Sequence, residues 1–157
     1  MKKALSLWCL GIGVWAALFL WPGPARATLG GSADSIESDR IMLSAAQGVV
    51  TVQGTYTIHT MTSGASTFRE YVAPSGVVFA LAWDGALTPN LTALLGPYAG
   101  EYQQALSATP RQPGMRNRSV IRTARVVVEQ WGHMRSMHGR AYVPALVPQG
   151  VDLDEIR

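Results

Sequence analysis

A proline–serine–glycine turn between two apolar runs limits the middle of the chain to an antiparallel hairpin. Pro74-Ser75-Gly76 separates a predicted strand, Thr67 to Ala73, from another that runs from Val77 to Trp83. Proline fixes one backbone dihedral of such a turn, and glycine supplies the positive one. The preceding stretch, Val49 to Thr62, is rich in β-branched residues and predicts one further strand. These segments together predict a three-strand meander.

The third strand of this meander has two faces of unequal bulk. Leu81 and Trp83 lie on a broad face, whereas Ala80 and Ala82 lie on a narrow one, because side chains alternate along a strand. We expect a helix to pack closely against the narrow face, where the small side chains leave room for it.

Helices are predicted on both sides of the meander. Ser32 or Asp34 caps a helix that runs to about Ala46. After Asn90, leucines and tyrosines recur three or four residues apart, which indicates a second helical region. Pro97 must interrupt that region, so we expect a short turn followed by a helix that begins near Pro97.

Two more strands complete the predicted fold, one from Ile121 to Trp131 and one from about Arg135 to Val143. The element order is then helix, three-strand meander, helix, two strands. The sequence therefore predicts an α+β protein with a single antiparallel sheet of about five strands and helices on one face.

The first 27 residues have the pattern of a cleaved signal peptide. Lys2 and Lys3 precede an apolar stretch from Ala4 to Leu20, and Ala25-Arg26-Ala27 places small residues where signal peptidase requires them. The stretch is also long enough for a membrane anchor, but the Pro-Gly-Pro break directly before Ala-x-Ala favours cleavage. We expect residues 1–27 to be a signal peptide. Residues 28–157 are then one exported domain, periplasmic or secreted, with no membrane span.

Removing this leader changes what the composition implies. Three of the 13 basic residues lie in the leader and all 10 acidic residues follow it, so residues 28–157 carry no formal net charge. The basic character of the full chain is therefore no argument for nucleic-acid binding. The one cysteine, Cys9, also lies in the leader, which excludes disulfides, thiolate catalysis and Cys-ligated metals from the exported domain.

Charged and aromatic residues in two hairpins form the candidate binding surface. We therefore predict a non-enzymatic protein that binds a partner or a ligand, or that contributes to an envelope assembly with another protein. Within the first hairpin, a glutamate on the solvent face that pairs with an arginine across the strand is the expected arrangement for Glu70. The candidate binding residues are Arg69, Glu70, Tyr71, His133, Arg135 and Arg140.

An alternative function is a small periplasmic hydrolase. Glu70 and His133 would be its acid/base pair if the fold brought them together. The chain has no Gly-x-Ser-x-Gly nucleophile elbow. We therefore assign no catalytic residue and favour a protein that is not an enzyme.

A second alternative is a copper-binding accessory protein. His133, Met134, Met137 and His138 supply imidazole and thioether groups, which suit copper. On a regular strand His133 and Met137 face one way and the other two residues face the opposite way. The four groups converge only if this segment curls into a loop, so we assign no metal and no cofactor.

Several groups of residues, in the same order along the chain, match one family pattern. They are Ala27-Thr28-Leu29-Gly30-Gly31; Arg69-Glu70-Tyr71-Val72 with Pro74-x-Gly76-Val77-Val78-Phe79 and Trp83; and Gly132-His133-Met134-Arg135 with Gly139-Arg140-Ala141 and Pro144-Ala145-Leu146. With them the chain resembles the "domain of unknown function 2844" family of short exported proteobacterial proteins. The resemblance implies a periplasmic or secreted single-domain protein, and it carries no known activity, cofactor or catalytic residue. His138 is not part of the pattern, which weighs against the four-residue copper site.

Overall fold

A computed structural model describes residues 29–86, 88–110 and 118–157. The predicted signal peptide lies outside these ranges. Within these ranges, seven antiparallel strands form a single sheet in the order β1-β2-β3-β4-β7-β6-β5. The strands are β1 (Ala46–Gln53), β2 (Tyr56–Ser63), β3 (Ser66–Val72), β4 (Val78–Gly85), β5 (Arg118–Arg122), β6 (Val127–His133) and β7 (Ser136–Tyr142).

The helices precede the sheet and interrupt it. They are α1 (Ile36–Met42), α2 (Leu91–Leu95) and α3 (Ala99–Ala108). Asn90 caps α2, since its side chain accepts a hydrogen bond from the Thr92 N–H at 3.2 Å. A 3-10 turn containing Pro97 separates α2 from α3, as expected. Within the described ranges no helix combines the length and the apolar character needed to span a bilayer. The α+β class and the single antiparallel sheet are confirmed.

The predicted sheet of about five strands was too small, because two predicted strands are hairpins. The stretch from Val49 to Thr62 folds as β1 and β2, and the chain reverses at Gly54, whose positive φ of 47° suits a tight turn. The stretch from Ile121 to Trp131 folds as β5 and β6. There the Thr123 N–H and the Val126 carbonyl are hydrogen-bonded at 2.9 Å and close the turn.

The helices cover one side of the sheet, which we call the helical face. Leu81 and Trp83 of β4 are buried there with Leu94 and Leu95 of α2. The expectation that a helix packs on the narrow alanine face was wrong. The broad side chains fill the space between sheet and helices, because that layer is where most apolar area must be buried.

The chain after β7 crosses the opposite side, which we call the tail face. Ile156 is fully buried there beside an aromatic cluster of Tyr56, Tyr71 and Phe79, whose ring centroids are 5.9–6.2 Å apart. A register shift between β3 and β4 brings Phe79 onto the same face as Ala80. The residues after β7, 143–157, therefore form a second layer that covers only part of this face.

Candidate functional site

A cleft of about 540 Å³ remains on the tail face where the C-terminal segment leaves the sheet uncovered. Strands β3, β4, β6 and β7 contribute side chains to it, and the end of the chain forms its rim. Cross-strand neighbours share a face, so the register of the sheet places these groups side by side. The polar and aromatic residues that line it are Arg69, Tyr71, Trp83, Asp84, Trp131, His138, Glu155 and Arg157.

A stacked pair of rings and a buried tyrosine line the cleft. Trp131 and His138 are partners in the β6–β7 register, and their rings stack with centroids 6.2 Å apart and an interplanar angle of 21°. The Ser136 hydroxyl lies 3.2 Å from His138 Nε2 and fixes the orientation of the imidazole. Tyr71 lies on β3, and burial raises the pKa of its phenol.

The cleft also contains a paired arginine and aspartate. Arg69 Nη1 lies 2.7 Å from Asp84 Oδ2, with side-chain exposures of 30% and 36%. Ala82 stands opposite Arg69 in the β3–β4 register, and its small side chain leaves the guanidinium room above the sheet. An ion pair with this exposure contributes little to folding. Because both side chains are partly exposed, the donors and acceptors that this pair leaves unused can contact a ligand.

A second cavity of about 490 Å³ adjoins the cleft and shares Trp131 and Arg157 with it. Its base is the ion pair between Arg140 and Glu129, in which Arg140 Nε donates to Glu129 Oε2 at 2.9 Å. Arg140 Nη1 also donates to the carbonyl of Leu153 in the C-terminal segment. Arg140 therefore positions the segment that forms the rim of both cavities.

The tail face holds half of the predicted binding residues. Arg69 and Tyr71 line the cleft, and Arg140 lines the adjoining cavity. His133 and Arg135 are at the β6–β7 turn, on the surface, and line neither cavity. The predicted surface is therefore divided between the cleft and a separate hairpin tip.

Glu70 lies on the helical face and is only 3% exposed, contrary to the expected solvent-face position. Its carboxyl is hydrogen-bonded to Asp39 of α1. Burial, together with the nearby Asp39 carboxylate and this hydrogen bond, raises the pKa of Glu70 to about 9. His59 faces it in the β2–β3 register, and burial lowers the pKa of that imidazole.

Glu70 and His133 are far apart. Two strands, β4 and β7, lie between β3 and β6, and His133 is exposed whereas Glu70 lies beneath the helices. The acid/base pair of the hydrolase alternative is therefore not assembled in this structure.

The four candidate copper ligands do not converge. Met134 is 93% exposed in a two-residue turn. His138 stacks on Trp131, whereas Met137 is the register partner of Gly132 and so points to the other face of the sheet. In the part of the chain that the structure describes, no three His, Cys, Asp or Glu residues are grouped so as to hold a metal ion.

A family model described as protein of unknown function, DUF2844, matches residues 25–156. The chain belongs to the DUF2844 family. The family resemblance of the sequence is thereby confirmed. No curated protein and no solved structure matches the chain significantly.

Several residues that line the cleft of this DUF2844 chain were not predicted from the sequence. Trp131 was placed at the end of a predicted strand and Asp84 directly after another, and neither was taken as a binding residue. Alternation along β6 places Trp131 on the same face as Glu129, which is a detectable signal. No sequence signal pointed to Glu155 and Arg157, because only the tertiary fold brings the C-terminal segment onto the sheet.

Proposed function

We propose that this DUF2844 protein is an exported, non-enzymatic binding protein of the bacterial cell envelope that holds a neutral glycan in the tail-face cleft. The observation that carries the proposal is the cleft itself. It places the stacked rings of Trp131 and His138 beside the paired Arg69 and Asp84 in one concave site. A concave site with aromatic walls and a few convergent polar groups is the usual form of a ligand pocket.

The chemistry of the lining favours a neutral ligand rich in hydroxyl groups. The two arginines, Arg69 and Arg157, are balanced by the carboxylates of Asp84 and Glu155. A polyanion or polycation would therefore meet groups of its own sign. Guanidinium and carboxylate groups bind hydroxyls as donors and acceptors, and aromatic rings offer flat apolar surfaces. A sugar ring presents both hydroxyls and an apolar C–H face.

A binding role is favoured over hydrolysis by the position of the perturbed carboxyl. Glu70 has its pKa raised to about 9 but is buried between α1 and the sheet, on the face opposite the cleft. A general acid must reach the substrate by a hydrogen bond. Glu70 cannot do so from this position.

Export is supported by the leader, whose charged start and apolar stretch precede the matched family region and whose Ala25-Arg26-Ala27 end lies at the beginning of that region. Mass spectrometry of the protein recovered from the envelope of an expressing bacterium should show Thr28 as the first residue. Protein that retains Met1 would contradict cleavage.

Glycan binding is tested by titrating the protein with soluble neutral oligosaccharides derived from chitin and from glucan, followed by calorimetry and by tryptophan fluorescence. A sulfated heparin fragment provides the charged comparison. Binding of a neutral chain should quench Trp131, and Trp131→Ala should weaken it about tenfold or more. Met134→Ala, on the same hairpin but outside the cleft, is the matched control. The proposal fails if no neutral chain binds, or if both variants bind as the parent does.

A further inference from the structure

The strand β1 forms one edge of the sheet and has the features of a pairing surface. Over residues 29–86, 88–110 and 118–157, its only strand partner is β2. It is eight residues long, contains no charge and no proline, and exposes Val49, Val50 and Val52 by 69%, 56% and 75%. Sheet edges that must stay free are normally short, charged or interrupted by proline.

The opposite edge of the same sheet shows that protection. Strand β5 has five residues, begins and ends with the exposed cations Arg118 and Arg122, and lies in contact with α3. Two edges of one sheet therefore differ: β5 is short, charged and in contact with a helix, whereas the only protective feature of β1 is a β-bulge before Val50.

The backbone groups that β1 presents outward can be assigned from the β1–β2 hairpin. Gln53 and Tyr56 flank its two-residue loop, so they form a hydrogen-bonded pair, and Thr51 with Ile58 forms the next one. Val50 and Val52 lie between these pairs. Their N–H and C=O groups therefore point away from β2, toward the free edge.

We infer that two copies of this chain pair through β1, antiparallel, with Thr51 on the twofold axis. In that register Val50 of each copy stands opposite Val52 of its partner, and both valines use the outward N–H and C=O groups identified above. The side chains also match, because Val50 and Val52 share the helical face and Thr51 meets its own copy on the tail face. Such β-branched and threonine pairs stabilise antiparallel strands.

A second copy is the occupant that the strand itself favours. Antiparallel pairing of identical strands is a closed twofold contact, and the uncharged β1 meets no repulsion from its own copy. The β-bulge between Gln47 and Val50 limits regular pairing to the last part of the strand. An interface this short is below roughly 1,200 Å², so we expect a weak, concentration-dependent dimer.

The first test places charged side chains at the two valine positions. The full chain is expressed, and the protein is purified as the host processes it. Sedimentation velocity should show a dimer that grows with concentration. Val50→Lys with Val52→Lys places two like-charged pairs across the contact and should give a monomer. Val50→Lys with Val52→Glu introduces as many polar groups but forms opposite-charge pairs, and should restore the dimer. Met134→Lys, at a more exposed site outside β1, should behave as the parent.

The second test fixes the register. Thr51→Cys places two thiols across a non-hydrogen-bonded pair, where Cα atoms are about 4.5 Å apart, within the range for a disulfide. Gln53→Cys offsets the thiols by about 13 Å and should give no more dimer than the parent, whose single cysteine is Cys9. Circular dichroism checks that the variants fold.

Three outcomes would overturn the inference. The parent could be monomeric at all concentrations, the two lysines could leave the dimer unchanged, or the Thr51→Cys and Gln53→Cys variants could crosslink equally. A disulfide from the new thiol of Thr51→Cys to a different protein, or to Cys9 of the same chain, would assign the edge to another occupant and would also overturn it.

Discussion

Asp39 of α1 and Glu70 of β3 form a hydrogen-bonded carboxyl pair in the core, with exposures of 2% and 3%. Two carboxyl groups this close cannot both ionise without strong repulsion, and a proton retained on Glu70 makes the hydrogen bond possible. The pair joins α1 to the sheet. The attachment of this helix therefore depends on the protonation of one side chain.

We predict that the free energy of unfolding falls as pH rises from about 4.5 toward 9. The folded protein keeps the Glu70 proton until its pKa of about 9, whereas the unfolded chain releases it near the ordinary value of 4.5. The retained proton stabilises the folded state fully below the pKa that Glu70 has in the unfolded chain. Above that pKa the free energy of unfolding falls by up to about 1.4 kcal/mol per pH unit. Urea unfolding at pH 5 and at pH 8 measures the loss. The pKa of His59 is lowered, so its titration makes the free energy of unfolding rise with pH. A variant that changes Glu70 alone keeps this contribution constant.

Glu70→Gln separates the carboxyl pair from other titrations. The amide cannot ionise and can donate to Asp39, so the variant should lose less stability between pH 5 and pH 8 than the parent. Glu37→Gln, on the exposed side of the same helix, should keep the dependence of the parent, because Glu37 pairs with Arg40 at the surface. Equal slopes for the parent and Glu70→Gln would refute the prediction.

A second prediction concerns Arg140, which connects the sheet to the C-terminal segment. It contacts the buried Glu129 through Nε at 2.9 Å and Nη2 at 2.8 Å, and Nη1 donates to Leu153. Lysine cannot make this set of bonds. Arg140→Lys should destabilise the protein by about 2 kcal/mol in urea unfolding. It should also speed proteolysis after residue 143.

Arg125→Lys is the control for the Arg140 variant. Arg125 pairs with Glu101 at 2.8 Å but is 60% exposed, so its replacement should cost less than about 1 kcal/mol. If the two variants are equally stable, or if Arg140→Lys leaves proteolysis unchanged, Arg140 does not hold the C-terminal segment.

A third prediction concerns the phenol of Tyr71, which accepts a hydrogen bond from the Arg157 N–H at 3.1 Å and lies 3.0 Å from the Arg157 carbonyl. Tyr71→Phe should cost about 1 kcal/mol and should loosen the end of the chain. Hydrogen exchange should become faster in residues 155–157 and stay constant in β6. Tyr102→Phe, whose hydroxyl contacts Gln130 instead, should leave the C-terminal segment unchanged. Unaltered exchange in Tyr71→Phe would show that the phenol does not hold the rim.

The fold was predictable where turn chemistry was strong and was missed where it was weak. The turn at Pro74-Ser75-Gly76 was identified because proline and glycine both act there. Gly54 has no proline beside it and lies within a β-branched run. The turn at 123–126 contains neither proline nor glycine, because the side chain of Thr123 closes it through hydrogen bonds to Val126. Both reversals were therefore interpreted as continuous strands.

The site was harder to predict than the fold for two physical reasons. Glu70 was assigned to the solvent face, although its neighbours on the same side of β3, Phe68 and Val72, are buried core residues. That alternation is detectable, but its buried partner, Asp39, lies on a helix that no local pattern places. The cleft depends on residues 143–157 crossing the tail face, which only long-range packing determines.

The last prediction tests the close contact between β4 and β7 under the helices. Gly139 stands opposite Trp83 in the register, and a Cβ on Gly139 would overlap the indole atoms Cζ2 and Cε2 and lie 2.9 Å from the Glu129 carbonyl oxygen. Gly139→Ala should therefore destabilise the protein by about 1–3 kcal/mol through overpacking. Gly100→Ala, in α3 with open space around it, should be neutral or stabilising by up to about 1 kcal/mol. Urea unfolding measures both.

A double variant identifies the indole as the cause. Trp83→Phe removes the atoms that the new methyl group would strike, so Gly139→Ala should cost less in the Trp83→Phe background than in the parent. The glycine would then be required by the volume of its neighbour, since its own φ lies outside the left-handed region. If Gly139→Ala costs the same in both backgrounds, the strain comes from the Glu129 backbone instead, and the pairing of glycine with tryptophan does not set the β4–β7 contact.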